Sequence, residues 1–275
     1  IGLQGPPGNG KTTLIKKGLA KCLVDQKGEP RPVGFIPLGG STCGTSLEGH
    51  SYTYQGSKWG KIAEVLMNSG CMNPILLFDE LDKVSKTARG REISGILTHL
   101  TDSTQNQEFT DRYFDGIPLD LSRAVMVFTF NDISAIDPIL LDRLTIIKTK
   151  PLSLPDKLVV ARKHLLEDIA GSIGVSASDI EIPDEVINYV IKTYTAEAGA
   201  RQLKQLLQDL IRELNLRRLT DPSVKMEVTL ELINSVFQHK DKTRTHKIPE
   251  KDLVGQINGM YANALGMGGV LPIQV

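Results

Sequence analysis

Apolar residues along this chain follow two patterns that change over near residue 150. Before that point, strand-like apolar runs lie at 33–38, 74–78, 124–130 and 144–148. A run without polar alternation predicts a strand covered on both faces, and the stretches between the runs are helical. A strand end at Ile1-Gly2-Leu3 and a helix over 13–24 open the series. Strands alternating with helices predict an α/β fold with a central parallel sheet. Pro151-Leu152-Ser153-Leu154-Pro155 interrupts the pattern, and helical spacing then governs 156–169, 183–194 and 199–219, with Pro183 suited to a first turn. In the last of these, Leu203, Leu206, Leu207, Leu210, Ile211 and Leu214 form one stripe, as core packing requires. The expected organisation is an α/β domain over 1–150, a small helical domain over 151–238, and a terminal segment over 239–275 whose first part, 239–253, is a charged, solvated linker.

Composition narrows the function classes. The 275 residues suffice for two domains at roughly 100–200 residues each. Lys plus Arg equals Asp plus Glu at 32 each, which weakens a nucleic-acid partner. Cys22, Cys43 and Cys71 form no C-x-x-C pair and suit a reducing compartment, with the cytoplasm first and a mitochondrial matrix or a virus-encoded protein also open. The five histidines show no ligand spacing. No apolar run is long enough to span a bilayer, and the first residues do not read as a signal peptide. A chain opening inside a strand is expected to have lost what preceded it.

The chemistry begins at Gly5-Pro6-Pro7-Gly8-Asn9-Gly10-Lys11-Thr12, followed by Thr13. This fits G-x-x-x-x-G-K-S/T between a strand and a helix, the setting in which backbone N–H groups cradle phosphates. Lys11 would reach the β- and γ-phosphates, and the Thr12 hydroxyl would join a Mg²⁺ shell. Ile75-Leu76-Leu77-Phe78-Asp79-Glu80 supplies a strand-end carboxylate, Asp79, for Mg²⁺ and a neighbour, Glu80, to polarise the attacking water. Asn131, ending another strand, either orients that water or simply forms a turn with Asp132. Arg143, in Leu140-Leu141-Asp142-Arg143-Leu144, would face a neighbouring subunit and stabilise γ-phosphate charge in trans; the bland alternative is a surface salt bridge, with Asp142 or otherwise. Arg201, in Ala198-Gly199-Ala200-Arg201, would touch the phosphates in cis, or be an exposed helix arginine.

In this order these segments resemble the AAA+ ATPases. More narrowly they resemble the ATPase module of the Lon proteases, through Leu38-Gly39-Gly40, Gly49-His50, Thr53-Tyr54, Gly56-Ser57, Asp79-Glu80-Leu81-Asp82-Lys83, Lys163-His164-Leu165-Leu166 and Tyr194-Thr195-Ala196-Glu197-Ala198-Gly199. The resemblance implies a P-loop ATPase followed by a helical lid, ATP and Mg²⁺ as cofactors, a homohexameric ring, and unfolding and threading of protein substrates. Tyr54 takes the position of the aromatic pore-loop residue that grips polypeptide, and an aromatic on a Gly-flanked loop suits that task, although it could also pack under its own loop. The chain departs from the family with Gln55 after that tyrosine, Tyr52 before it and Trp59 in Ser57-Lys58-Trp59-Gly60. Residues 84–91, with Lys86, Arg89 and Arg91, would form a second pore-facing loop or a solvated face. Residues 254–261 and 268–275 resemble the entry strands of the Lon peptidase domain, and no residue here matches that family's serine–lysine dyad. Three other readings stay open: a remodeller without proteolysis, a nucleic-acid motor, and a nucleotide-binding scaffold without turnover.

Overall fold

The strand Ile75–Asp79 shows why the sheet forms. Its four apolar residues are all buried, and their side chains alternate between two apolar layers. Ile75 and Leu77 join Leu3, Ile15, Ala20 and Val127 on one face. Leu76 and Phe78 join Ile36, Phe128 and Phe130 on the other, where the Phe78 and Phe128 rings stack at 4.9 Å between centroids. Each such side chain contributes about 1.5–3 kcal/mol by leaving water, so burial on both faces holds this strand in the sheet.

The computed structural model describes residues 1–24, 27–41, 43–85, 87–242, 254–262 and 268–274, with the backbone alone for Ala88 and Arg89. By its internal contacts the chain divides into two units: Ile1–Gly5 with Gly10–Thr149, and Pro6–Asn9 with Lys150–Val275.

In the first unit β1 (Gly2–Gln4) leads through the glycine-rich loop into helix α1, residues 11–22, whose middle Leu14–Leu19 is π-helical. Then come β2 (Val33–Pro37), the short α2 (Thr45–Glu48), α3 (Lys61–Ser69), β3 (Ile75–Asp79), α4 (Ala88–Leu100), the two-residue strands β4 (Phe109–Thr110) and β5 (Pro118–Leu119), β6 (Val125–Phe130), α5 (Pro138–Asp142) and β7 (Ile146–Lys148). Five strands form one parallel sheet in the order β2-β3-β6-β1-β7, while β4 and β5 pair antiparallel. Helix α1 covers the Ile75/Leu77 face through Ile15 and Ala20. Helices α3, α4 and α5 cover the other through Ile62, Leu66, Ile93, Leu97 and Leu140. Because β6 inserts between β1 and β3, the carboxyl ends of these three strands lie side by side, where open α/β sheets bind ligands.

The second unit is helical: α6 (residues 154–173, π-helical over Ala161–Leu165), α7 (Asp184–Tyr194), α8 (Arg201–Thr220) and α9 (Leu230–Val236). Ser153 and Asp156 form a reciprocal capping box that starts α6, and Gly174, at φ 81°, ends it in the left-handed conformation. The stripe Leu203, Leu206, Leu207, Leu210, Ile211 and Leu214 is buried against Ile169, Ile187, Val190 and Phe237. Strands β8 (Gln256–Ala262) and β9 (Gly268–Gln274) pair antiparallel.

Several expected boundaries move. The last sheet strand begins at Ile146 rather than Leu144, because Leu144 closes the turn after α5 and its side chain fills the core. Pro183 precedes helix α7 as its N-cap, and α6 runs on to Ile173. The loop predicted over 84–91 ends early: Thr87 caps α4, which begins at Ala88 and takes in Arg91. Lys86, the Arg89 side chain and most of the predicted linker lie outside the described residues.

Candidate nucleotide site

Between β1 and α1 the backbone turns at glycines for definable reasons. A Cβ on Gly5 would lie 1.9 Å from Thr149 Oγ1, and Gly10 caps helix α1 at φ 78°. The turn delivers Lys11 and Thr12 to the carboxyl edge of the sheet. Lys11 Nζ donates to the Gly5 carbonyl at 2.8 Å and to Asn131 Oδ1 at 3.0 Å, joining the ends of β1 and β6. Thr12 Oγ1 points at Asp79 Oδ2 from 3.5 Å, joining α1 to β3. The Lys11-Thr12 pair, Asp79 and Asn131 lie far apart in sequence and meet only because the strand order interleaves them.

Three residues to which the sequence assigned no role complete the edge. Thr129, fully buried in β6, donates its hydroxyl to Asp79 Oδ1 and accepts the Glu80 N–H at 3.4 Å. Asp82 Oδ2 accepts the backbone N–H groups of Asn131 at 3.3 Å and Asp132 at 3.2 Å, tying the β6 exit to the turn after β3. Gly39 leaves room for Glu80, since a Cβ there would stand 2.1 Å from Glu80 Oε2. The available signals were a lone polar residue inside an apolar strand for Thr129, and the double glycine after β2 for Gly39. Glu80 itself sits at φ 61°, ψ 47°, the one non-glycine residue with positive φ among those described. A left-handed conformation in a side-chain-bearing residue costs on the order of 1–3 kcal/mol and persists only where its surroundings enforce it.

Arg143 ends α5 and gives Nη1 to Asp102 Oδ2 at 2.8 Å and to the Thr98 carbonyl at 3.1 Å. Its carboxylate partner is thus Asp102 rather than Asp142. The Asp102 carboxyl is held down to about 2, first by the Thr104 hydroxyl and N–H and then by Arg143.

The second unit contains the loop tip Pro6–Asn9 and the segment before α8. Gly199 meets Gly8 backbone to backbone: a Cβ on Gly199 would lie 2.3 Å from the Gly8 carbonyl carbon, and the Ala200 N–H donates to Gly8 O at 3.0 Å. Asn9 Nδ2 donates to the Lys150 carbonyl. Arg201 is the first residue of α8, with its Cβ 3.1 Å from where a Gly8 Cβ would stand. Glu197 accepts the Leu203 N–H at 2.9 Å through Oε1, satisfying one donor of the α8 N-terminus, and its carbonyl receives Lys157 Nζ. Burial lowers the Lys157 ammonium below its ordinary range, against an opposing pull from Glu197.

Tyr54 and Gln55 lie on the loop over residues 50–59, where Tyr54 is 71% exposed and so is not packed beneath its own loop. Trp59, which the sequence places with Tyr54 and Gln55 on the substrate loop, is also exposed and has aromatic neighbours. It stacks on Phe114 at 6.3 Å and meets Tyr113 edge-on at 5.7 Å, at the base of the loop. Among the described residues, no helix is long and apolar enough to cross a membrane.

The family model described as "ATPase family associated with various cellular activities (AAA)" matches residues 1–152, and that of the "Lon protease AAA+ ATPase lid domain" matches residues 172–226. A Lon protease homolog of Acanthamoeba polyphaga mimivirus is 34% identical, the alignment covering 100% of this chain and 32% of the relative. The Lon protease of Mycoplasma pneumoniae is 33% identical over 99% of this chain and 33% of its own length, and that of Aquifex aeolicus 33% over 97% and 32%. The chain therefore spans about a third of the length of the curated relatives it matches. Among solved structures, a closed-state reconstruction of Hsp104 with ATPγS and FITC casein superposes with a TM-score of 0.61 at 20% identity, over 84% of this chain and 43% of that one, a likeness of fold. The parallel sheet with its phosphate-type loop, the helical unit and both family matches agree: the chain belongs to the AAA family of ATPases, as an ATPase module of the Lon type.

Proposed function

We propose that this chain is the motor of a Lon-type ATP-dependent protease, in which ATP hydrolysis drives unfolding and threading of protein substrates. The observation that carries the proposal is the convergence of Lys11 Nζ on Asn131 Oδ1 at 3.0 Å and of Thr12 Oγ1 on Asp79 Oδ2 at 3.5 Å, at the carboxyl ends of three adjacent strands. The α1 N-terminus and the loop glycines suit a polyphosphate. A hydroxyl and one carboxylate suit Mg²⁺, which keeps several waters and takes few protein oxygens. ATP supplies the phosphoanhydride whose cleavage powers the cycle.

In this scheme residues 5–13 bind phosphate, with Lys11 countering its charge, and Thr12 and Asp79 serve the metal. Glu80, seated against Gly39, accepts the proton of the attacking water, and Asn131 orients that water. Arg143 is offered to a neighbouring subunit's γ-phosphate, with Asp102 fixing its orientation, and Arg201 senses the phosphate in cis. A trans arginine makes turnover depend on assembly, which supports a homohexameric ring. The domains we assign are 1–150 for the α/β motor, 151–238 for the lid, and 239–275 for a linker and first strands of a peptidase-like domain. Cys22, Cys43 and Cys71 are not joined in disulfides, which fits a reducing compartment such as the cytoplasm.

Tyr54 and Gln55 grip substrate. Casein should stimulate ATP hydrolysis by the wild-type chain, and Tyr54→Ala should abolish that stimulation. Undiminished stimulation in Tyr54→Ala would refute the grip, and stimulation by single-stranded DNA in place of casein would favour a nucleic-acid motor.

A further inference from the structure

Asp111 is an acidic side chain yet fully buried, and no role in phosphate chemistry falls to it. A buried carboxylate is costly unless strong donors satisfy it. Here Oδ2 accepts the Gly60 N–H at 2.8 Å and Oδ1 accepts the Tyr113 N–H at 2.9 Å. Gly60 closes the loop that bears Tyr54, and Gly49 opens it. Gly49 stands at φ 78°, and a Cβ there would lie 2.7 Å from Asp111 Oδ1 and 2.8 Å from the Gly60 nitrogen. A Cβ on Gly60 would lie 1.9 Å from the Leu47 carbonyl oxygen. Both necks of the loop are therefore glycines because a carboxylate and two backbones crowd together there.

The next residue fastens the same neck from outside. Arg112 donates its N–H to the Glu48 carbonyl at 2.7 Å and pairs its guanidinium with the Glu48 carboxylate at 2.8 Å. Above the neck the loop is braced internally, with the His50 N–H on the Lys58 carbonyl at 3.0 Å and Ser57 Oγ on the Ser51 carbonyl at 2.7 Å. Trp59 is wedged against Tyr113 and Phe114. The segment supplying Asp111 is itself rooted, since Phe109 and Leu119 belong to the main apolar layer.

We propose that Asp111 is the positioning residue of the Tyr54 loop. Its carboxylate fastens the Gly60 neck of the loop to the β4–β5 hairpin and lies against Gly49, Arg112 holds the Glu48 side, and Trp59 is stacked at the base as a wedge. Tyr54 is thus carried on a stiff stalk rooted in the sheet's core layer and transmits force to substrate. This rests on the proposal that Tyr54 grips polypeptide, but the fastening itself is separately measurable.

Trp59 is the only tryptophan of the chain, so its emission reports the base of the loop directly. In full-length Asp111→Asn, Trp59 emission should move to longer wavelength and acrylamide quenching should rise, while ATP hydrolysis without substrate is retained. Stimulation by casein should fall about tenfold or more, the scale on which misplacing a working group acts. Emission and quenching equal to wild type in folded Asp111→Asn would overturn the proposal, as would casein stimulation left intact. If circular dichroism shows that Asp111→Asn does not fold, Trp59→Leu decides: lost casein stimulation with hydrolysis retained supports the stalk, and unchanged stimulation overturns it. A wild-type chain that casein does not stimulate would refute the grip, and the fluorescence arm would still test the fastening.

Discussion

Glu80 concentrates the physics of the candidate site in one residue. Its backbone occupies the left-handed region at φ 61°, and its carboxylate lies where Gly39 has no side chain. Asp79, one residue earlier, is held by Thr129 and faces Thr12. Neighbouring carboxylates thus leave the same strand end in different directions, one toward a hydroxyl pair and the other toward the β2 exit. The positive φ is what turns the second away from the first, and it is maintained at a conformational cost. Glu80→Gly should therefore raise the free energy of unfolding in urea by about 1 kcal/mol, because glycine adopts that region freely, while ATP turnover is lost. Destabilisation of comparable size instead would mean that the Glu80 side chain holds the fold rather than serving chemistry.

At the scale of elements, unbroken apolar runs were legible because a central parallel strand is buried on both faces, as Ile75 to Phe78 show. The α8 stripe was legible for the complementary reason, one apolar face at helical spacing. In that stripe Leu207 is fully buried among the helices of the second unit, so Leu207→Ala should lower unfolding stability by about 2–5 kcal/mol. A loss below about 0.5 kcal/mol, the range of surface substitutions, would show that the stripe does not carry the core. Residue pairs distant in sequence were less legible. Thr129 meets Asp79 across 50 positions and Asp111 meets Gly60 across 51. Periodicity reports which face a side chain takes, but not which partner stands there once strands are interleaved. For the same reason the pattern named Lys11, Thr12, Asp79 and Asn131 without revealing that Asp82 holds the Asn131 and Asp132 N–H groups, or that Trp59 meets Tyr113 and Phe114. Leu144 misled as a strand residue because core burial looks alike in a strand and in a turn.

For the whole molecule, two different units follow from the change in apolar period near residue 150, and the family matches agree with an ATPase followed by a Lon-type lid. Equal numbers of acidic and basic residues leave the chain without the charge bias of a nucleic-acid motor, which fits a polypeptide substrate. Lys11, Thr12, Asp79, Glu80 and the loop bearing Tyr54 all belong to the first unit, so the chemistry and the grip proposed for them share one sheet. The central claim is that Glu80 at the end of β3 drives hydrolysis of a nucleotide held by Lys11 and Thr12. ATP turnover and binding of a fluorescent ATP analogue, measured side by side on the wild-type chain and Glu80→Gln, test it most directly. The account predicts turnover reduced by about 10²–10⁴-fold, the usual worth of a general base, with analogue affinity little changed. Turnover at the wild-type rate in Glu80→Gln would contradict it.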